Sequence, residues 1–108
     1  MTTADAAVQL LAKALATDDG KQRAAAVGKR YELRFVGDGE RRFTMDLAAG
    51  TPSIVEGASA GACSLGVNAD DVEDLLHKRT TLGALFSTGR LRVFGNVGDA
   101  MKLEALFT

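Results

Sequence analysis

Tryptophan is absent from this sequence, and histidine, cysteine and proline occur once each. That shortage narrows the chemistry. His77 has no cysteine or second histidine at metal-ligand spacing, which argues against a zinc site. Cys63 alone cannot close an internal disulfide, in keeping with a reducing compartment. No apolar run is long enough to span a bilayer. The opening MTTADAAVQLLAKALATDDG has no basic leader and sets Asp5 just before its apolar stretch, so it reads as part of the fold rather than a signal peptide. The closing ALFT is not a peroxisomal tripeptide, and the expected location is the cytoplasm. A formal net charge of −1 gives no overall attraction to nucleic acid or anionic lipid.

What is present is ordinary globular composition, 46% apolar and 25% charged, which speaks against disorder. The 108 residues read as one domain, 1–108, with a single core and little spare stability for a large void. Residues 4–16 set Ala7, Leu10, Leu11, Ala14 and Leu15 on one helical face behind Thr3 as N-cap, and TDDG is read as ending that helix at Gly20. KQRAAAV is read as a short helical turn. Four strands are then predicted. RYELRFV alternates Tyr31, Leu33 and Phe35 against Arg30, Glu32 and Arg34, and RRFTMDL alternates Phe43, Met45 and Leu47 against Arg42, Thr44 and Asp46. The GDGE between them carries an Asp-Gly hairpin signal. SIVE and ACSLGV follow, the latter with Cys63, Leu65 and Val67 on one side.

The pattern next turns helical. Asn68 is the N-cap of a helix with the stripe Val72, Leu75 and Leu76, and a second stripe is Leu82, Leu85 and Phe86. RLRVFGNVGDAMKLEALF supplies a fifth strand and a last helix. A period of two buries one face of each strand. The expected fold is therefore α+β, a five-stranded, mainly antiparallel sheet covered on one face by helices in the order α-β4-α2-β-α.

The strand-to-helix junction from Gly95 to Gly98 invites a phosphate reading. A dinucleotide fold needs a further strand and an acidic residue about twenty positions on. The sequence after Gly98 is too short for both, and no Walker sequence occurs. The glycines read instead as a tight turn with close backbone packing. Cys63 falls on the apolar side of its strand, where a thiol is a small hydrophobe. No metal and no cofactor are expected. Arg30, Arg34, Arg42, Arg90 and Arg92 alternate out of the core beside Glu32 and Asp46, which reads first as cross-strand ion pairing on a solvated face. The alternative is a basic patch for an acidic partner. No outward aromatic row accompanies the arginines, so nucleic acid is not an expected partner.

The stretch LFSTGRLRVFGNVGDAMKLEALF resembles the closing motif of the sterol carrier protein type two family. Gly89, Arg90, Leu91, Arg92, Val93, Gly95, Asn96, Val97, Gly98, Ala100, Met101, Lys102 and Leu103 fit its pattern. YELRF, RRFTMDLAAGTPSIVEG and ACSLGVNADDVEDLL are similar to its earlier passages. The likeness covers residues 31–107, is strongest over 62–107, and is that of a bacterial-type single-domain member. One departure stands at His77–Thr81, where the family usually has Gly-Lys-Leu-Asn-Pro.

The resemblance implies a sheet and helical layer enclosing an apolar tunnel. It also implies non-catalytic binding, transfer or presentation of a sterol, fatty acyl chain or similar lipid. The expected lining is Leu33, Phe35, Met45, Leu75 and Leu82, with Leu85, Phe86, Met101, Leu106 and Phe107. His77 and Arg79 are the candidate head-group contacts at the mouth. Catalytic residues are not assigned. Two alternatives stand beside this reading: a cavity-based enzyme or accessory domain acting on a polyketide- or terpenoid-like substrate, and an interaction module using the arginine-rich sheet face. Expected partners are a hydrophobic small molecule or lipid, at most transient membrane contact, and a partner enzyme or a homodimer.

Overall fold

Thr3 and Thr17 start the fold by capping two successive helices. Thr3 accepts the Ala6 N–H and opens α1 (Ala4–Ala16), and Thr17 accepts the Gly20 N–H and opens α2 (Asp18–Val27). TDDG therefore does not end a helix at Gly20; it begins the next one. The Thr17 hydroxyl also donates to the Ala14 carbonyl at 2.8 Å, so one side chain closes α1 and caps α2. The chain folds so tightly here that a Cβ on Gly20 would run into the Ala14 carbonyl oxygen. The computed structural model describes residues 3–36, 41–48, 50–57 and 63–107; the GDGE turn lies outside them.

The predicted strands follow as β1 (Arg30–Phe35), β2 (Arg41–Asp46), β3 (Ser53–Glu56) and β4 (Cys63–Val67). Next come α3 (Ala69–Leu76), α4 (Leu82–Ser87), β5 (Arg92–Gly95), α5 (Val97–Lys102) and α6 (Glu104–Phe107). The sheet runs β3-β2-β1-β4-β5. Three of its pairings are antiparallel, and β1 with β4 is parallel. Alternation states which face of a strand is buried. It does not state which neighbour satisfies the free edge of β1, and that role falls to β4.

Tyr31, Leu33, Phe35, Met45, Leu65 and Val67 point inward and are buried. The helices close over them with Leu11 and Leu15 from α1, Val72 and Leu75 from α3, and Leu82 and Leu85 from α4. Phe35 and Phe43 meet edge to face, 5.4 Å between centroids. The junction before α5 follows its expected reading: Gly95 takes φ 138°, Asn96 caps the Asp99 N–H at 3.0 Å, and a Cβ on Gly98 would press on that cap. Tyr31 donates its hydroxyl to the Asp99 carbonyl at 2.6 Å, fixing α5 to the sheet. The single last helix expected from the sequence is instead two, broken at Leu103. This break sends Leu103 into the core and leaves Leu106 and Phe107 on the rim.

Candidate functional site

Two spaces lie on the helical side of the sheet. The outer is a cleft of about 250 Å³ between α1, α2, α3 and α6, with Leu11, Leu75, Leu76, Leu106 and Phe107 as its apolar wall. The inner is a void of about 20 Å³ against Leu33, Met45 and Leu65 of the sheet, roofed by Val72, Leu82 and Leu103. Leu11, Leu75 and Phe107 face both. They form the partition between surface and interior.

The volumes separate the roles of the two spaces. Ligand pockets run from roughly 300 to 1,000 Å³, so the cleft is near the lower end and the void far below it. The void has room for about one water, but its lining is apolar and offers no polar partner to hold it. Its cost is small, about 0.5 kcal/mol at roughly 24 cal/mol per Å³. Among the described residues, no open tunnel of ligand size runs between the sheet and the helices in this conformation. The core has collapsed onto itself because a small domain gains more from contact than from an empty channel.

Of the ten residues expected to line a tunnel, Leu33, Met45, Leu75, Leu82 and Phe107 surround the void, and Leu106 joins the cleft. Phe35 and Leu85 are buried in packing beside it, and Met101 is half-buried against the core. Phe86 is 41% exposed and outside both spaces. Leu82 and Leu85 take the inward side of the short α4, and the next residue lies about 100° further round. Periodicity alone pointed to Leu11, Leu65, Val67 and Val72 as core, without showing that they edge a void.

The mouth is cationic. Arg23 and Lys78 line the cleft with Thr17 and Asp19. Arg23 bonds Asp19 at 2.8 Å and donates to the Ala105 carbonyl at 3.3 Å, tethering α2 to α6. Lys78 takes φ 60°, alone in the left-handed region among the described non-glycine residues. It follows the α3 cap at His77, where Arg79 N–H closes on the Asp74 carbonyl at 2.8 Å, the geometry that usually places glycine at a helix end. The departure at His77–Thr81 therefore still closes the helix, with Lys78 in the position that usually takes glycine. Of the two candidate head-group residues, Arg79 is bound by Asp74 and Glu73, and His77 is exposed; neither lines the cleft.

The buried polar groups lie elsewhere. Burial pushes Tyr31 up to about 12, with Cys63 and Asp99 adding to it, and burial likewise raises the Cys63 thiol. Asp71 in the first turn of α3 is 5% exposed, and its Oδ2 has no hydrogen-bond partner. Burial raises its pKa, only partly offset by Arg90, whose Nη1 is 3.6 Å from Oδ1. Among the described residues no cluster of His, Cys, Asp and Glu could hold a metal ion.

A protein-family comparison settles the relationship: the model of the SCP-2 sterol transfer family matches residues 8–108. The chain belongs to this family. Solved structures share the family fold at low identity. A sterol carrier protein 2 from Yarrowia lipolytica, in its apo form, is 18% identical with a TM-score of 0.68, over 94% of this chain and 87% of that one. The sterol carrier protein domain 2 of Helicoverpa armigera is 21% identical with a TM-score of 0.70, over 89% and 78%. A sterol carrier protein 2 from Aedes aegypti, in complex with the C16 fatty acid palmitate, is 17% identical with a TM-score of 0.62, over 84% and 93%. No curated protein sequence matches. The family's α+β architecture, with its mixed five-stranded sheet, is the one described above. Among the described residues, no helix is long and apolar enough to cross a membrane.

Proposed function

We propose that this protein binds and carries a single-chain anionic lipid, with its acyl tail between the sheet and the helices and its head group at Arg23 and Lys78. The observation that carries the reading is the shared wall of Leu11, Leu75 and Phe107. These side chains line both a cation-rimmed cleft and an apolar void, so a chain entering the cleft would reach the core by displacing them. α6 is the element to move. It is four residues long with none buried, and Arg23 tethers it through the Ala105 carbonyl. A carboxylate drawn to Arg23 competes for that guanidinium and loosens the tether. Charge-assisted bonds are the stronger kind.

Family membership and the palmitate complex of the Aedes aegypti relative support a lipid ligand. The all-apolar lining supports binding rather than acid–base chemistry in the void. The test is thermal melting of delipidated protein with palmitate, hexadecanol or cholesterol. At a hundredfold excess over Kd, a ligand of the folded state adds about 2.7 kcal/mol of stability. Palmitate is expected to raise the melting temperature most and hexadecanol less. No shift with any of the three overturns the reading.

A further inference from the structure

The other face of the sheet carries a built cluster that the lipid site does not use. Arg42 stands directly opposite Arg34, Arg34 lies beside Gly66, and Gly66 stands opposite Arg92. Three guanidiniums thus occupy one row across four strands. Like charges directly opposed on a sheet are destabilising. Among the described residues one carboxylate answers them: Glu32 accepts Arg34 Nε at 3.0 Å and the Ser64 hydroxyl at 2.9 Å on the same oxygen. Although on the outward side, Glu32 is only 5% exposed. Arg42 and Arg92 are exposed and have no carboxylate partner among the described residues.

Phe94 completes the cluster. Its ring lies across Gly66, where an added Cβ would meet it at 3.4 Å, and Arg34 Cζ stacks 4.8 Å from its centroid. Phe94 nevertheless remains 48% exposed, and Val36 at the same notch 44%. The aromatic ring is held by Arg34, Arg34 by Glu32, and Glu32 by Ser64. Such ordering lowers the entropy cost of docking, and Arg and aromatic side chains dominate binding hot spots.

We infer that this face docks an acidic protein surface bearing an apolar slot for Phe94. Charge sets the partner's sign. Two copies of the face would repel, which disfavours a homodimer built on it. A membrane fits poorly for a geometric reason: the cleft opens on the helical side, so a sheet-bound bilayer would face away from the mouth. That choice of protein over membrane rests on the lipid reading of the cleft; the cluster does not. Docked this way, the sheet holds the protein on its partner while the cleft on the helical side stays open.

The test is selection from a random-peptide display library on the full chain, followed by nuclear magnetic resonance titration with the synthetic consensus peptide. Acidic peptides with a central aliphatic or aromatic residue are expected to enrich, and to shift the amides of Ser64, Gly66 and Phe94. Binding should weaken with salt. The paired change Arg42→Glu and Arg92→Glu should lower affinity about tenfold or more, as should Phe94→Ser, while palmitate affinity stays at the wild-type value. Retained palmitate binding shows both variants folded and separates this inference from the lipid reading. Failure to enrich acidic peptides, or shifts confined to the helical cleft, overturns the proposal. So does binding to phosphatidylserine vesicles or self-association that the same charge reversal abolishes while peptide binding survives.

Discussion

Leu11 of α1 and Phe107 of α6 stand on the same wall, each facing the outer cleft on one side and the inner void on the other. The two differ in what holds them. Leu11 is 1% exposed within a helix packed on α2 and α3, whereas Phe107 is half-buried at the end of a single helical turn. The first is held fixed by packing, and the second is the one proposed to move on lipid entry.

Their substitutions should separate accordingly. Leu11→Ala should cost about 2–5 kcal/mol of stability, read by urea unfolding. Phe107→Ala should cost less and instead quicken both uptake and release of a fluorescent polyene fatty acid in stopped flow. Phe86→Ser is the control and should leave both rates as they are, since Phe86 touches neither space. Unchanged rates in Phe107→Ala would remove α6 as the gate.

Lys78 tests whether the mouth reads charge. A side chain in the left-handed region costs about 1–2 kcal/mol, and glycine relieves this at about 0.5–1 kcal/mol of its own. Lys78→Gly should therefore unfold no more easily than wild type. Both Lys78→Gly and Lys78→Gln should weaken palmitate about 2- to 5-fold, the worth of one exposed charge contact, and leave hexadecanol unaffected. Equal losses for acid and alcohol would place the head group elsewhere.

Gly20 is predicted to be intolerant. Any side chain there meets the Ala14 carbonyl, which belongs to backbone and cannot swing aside. Gly20→Ala should force α1 and α2 apart and cost about 2 kcal/mol or more, beyond the ordinary range for a surface change. Near-wild-type melting would mean that the α1–α2 corner yields.

Asp71 gives a pH dependence. Its folded-state pKa lies above its ordinary 3.8 because burial penalises the charged form. As pH rises from about 3.8, the unfolded chain sheds this proton first, so Asp71 lowers stability through that window and continues to do so above it. Asp71→Asn should therefore melt higher than wild type at neutral pH, by about 1 kcal/mol, or roughly 4–8 °C. That gap should close toward pH 4, below which both proteins are neutral at this position. A gap that widens on acidification would show instead that Arg90 dominates.

The sheet was legible because alternation is a local property. In β1 and β2 the apolar residues' burial follows from their parity, and Tyr31, Leu33, Phe35, Phe43 and Met45 are all buried as their spacing predicts; Glu32, outward by parity yet buried, departs from it because Arg34 and Ser64 bond its carboxylate. Thr3 and Asn68 were readable as cap positions for the same reason. Thr17 was not. A threonine before two aspartates reads equally as the end of one helix or the start of another, and packing of α2 on α6 decides the matter.

By itself, then, the sequence determined which strands exist, which face each buries, and the family to which the closing motif points, because these depend on neighbours a few residues apart. Only the tertiary structure decided that β4 joins β1 in parallel, that Leu11, Leu75 and Phe107 line both the cleft and the inner void, and that Lys78 and Arg23 meet at the cleft. Those features depend on residues far apart in the chain. Whether they meet is set by how the helices close over the sheet, and no spacing along the sequence encodes that distance.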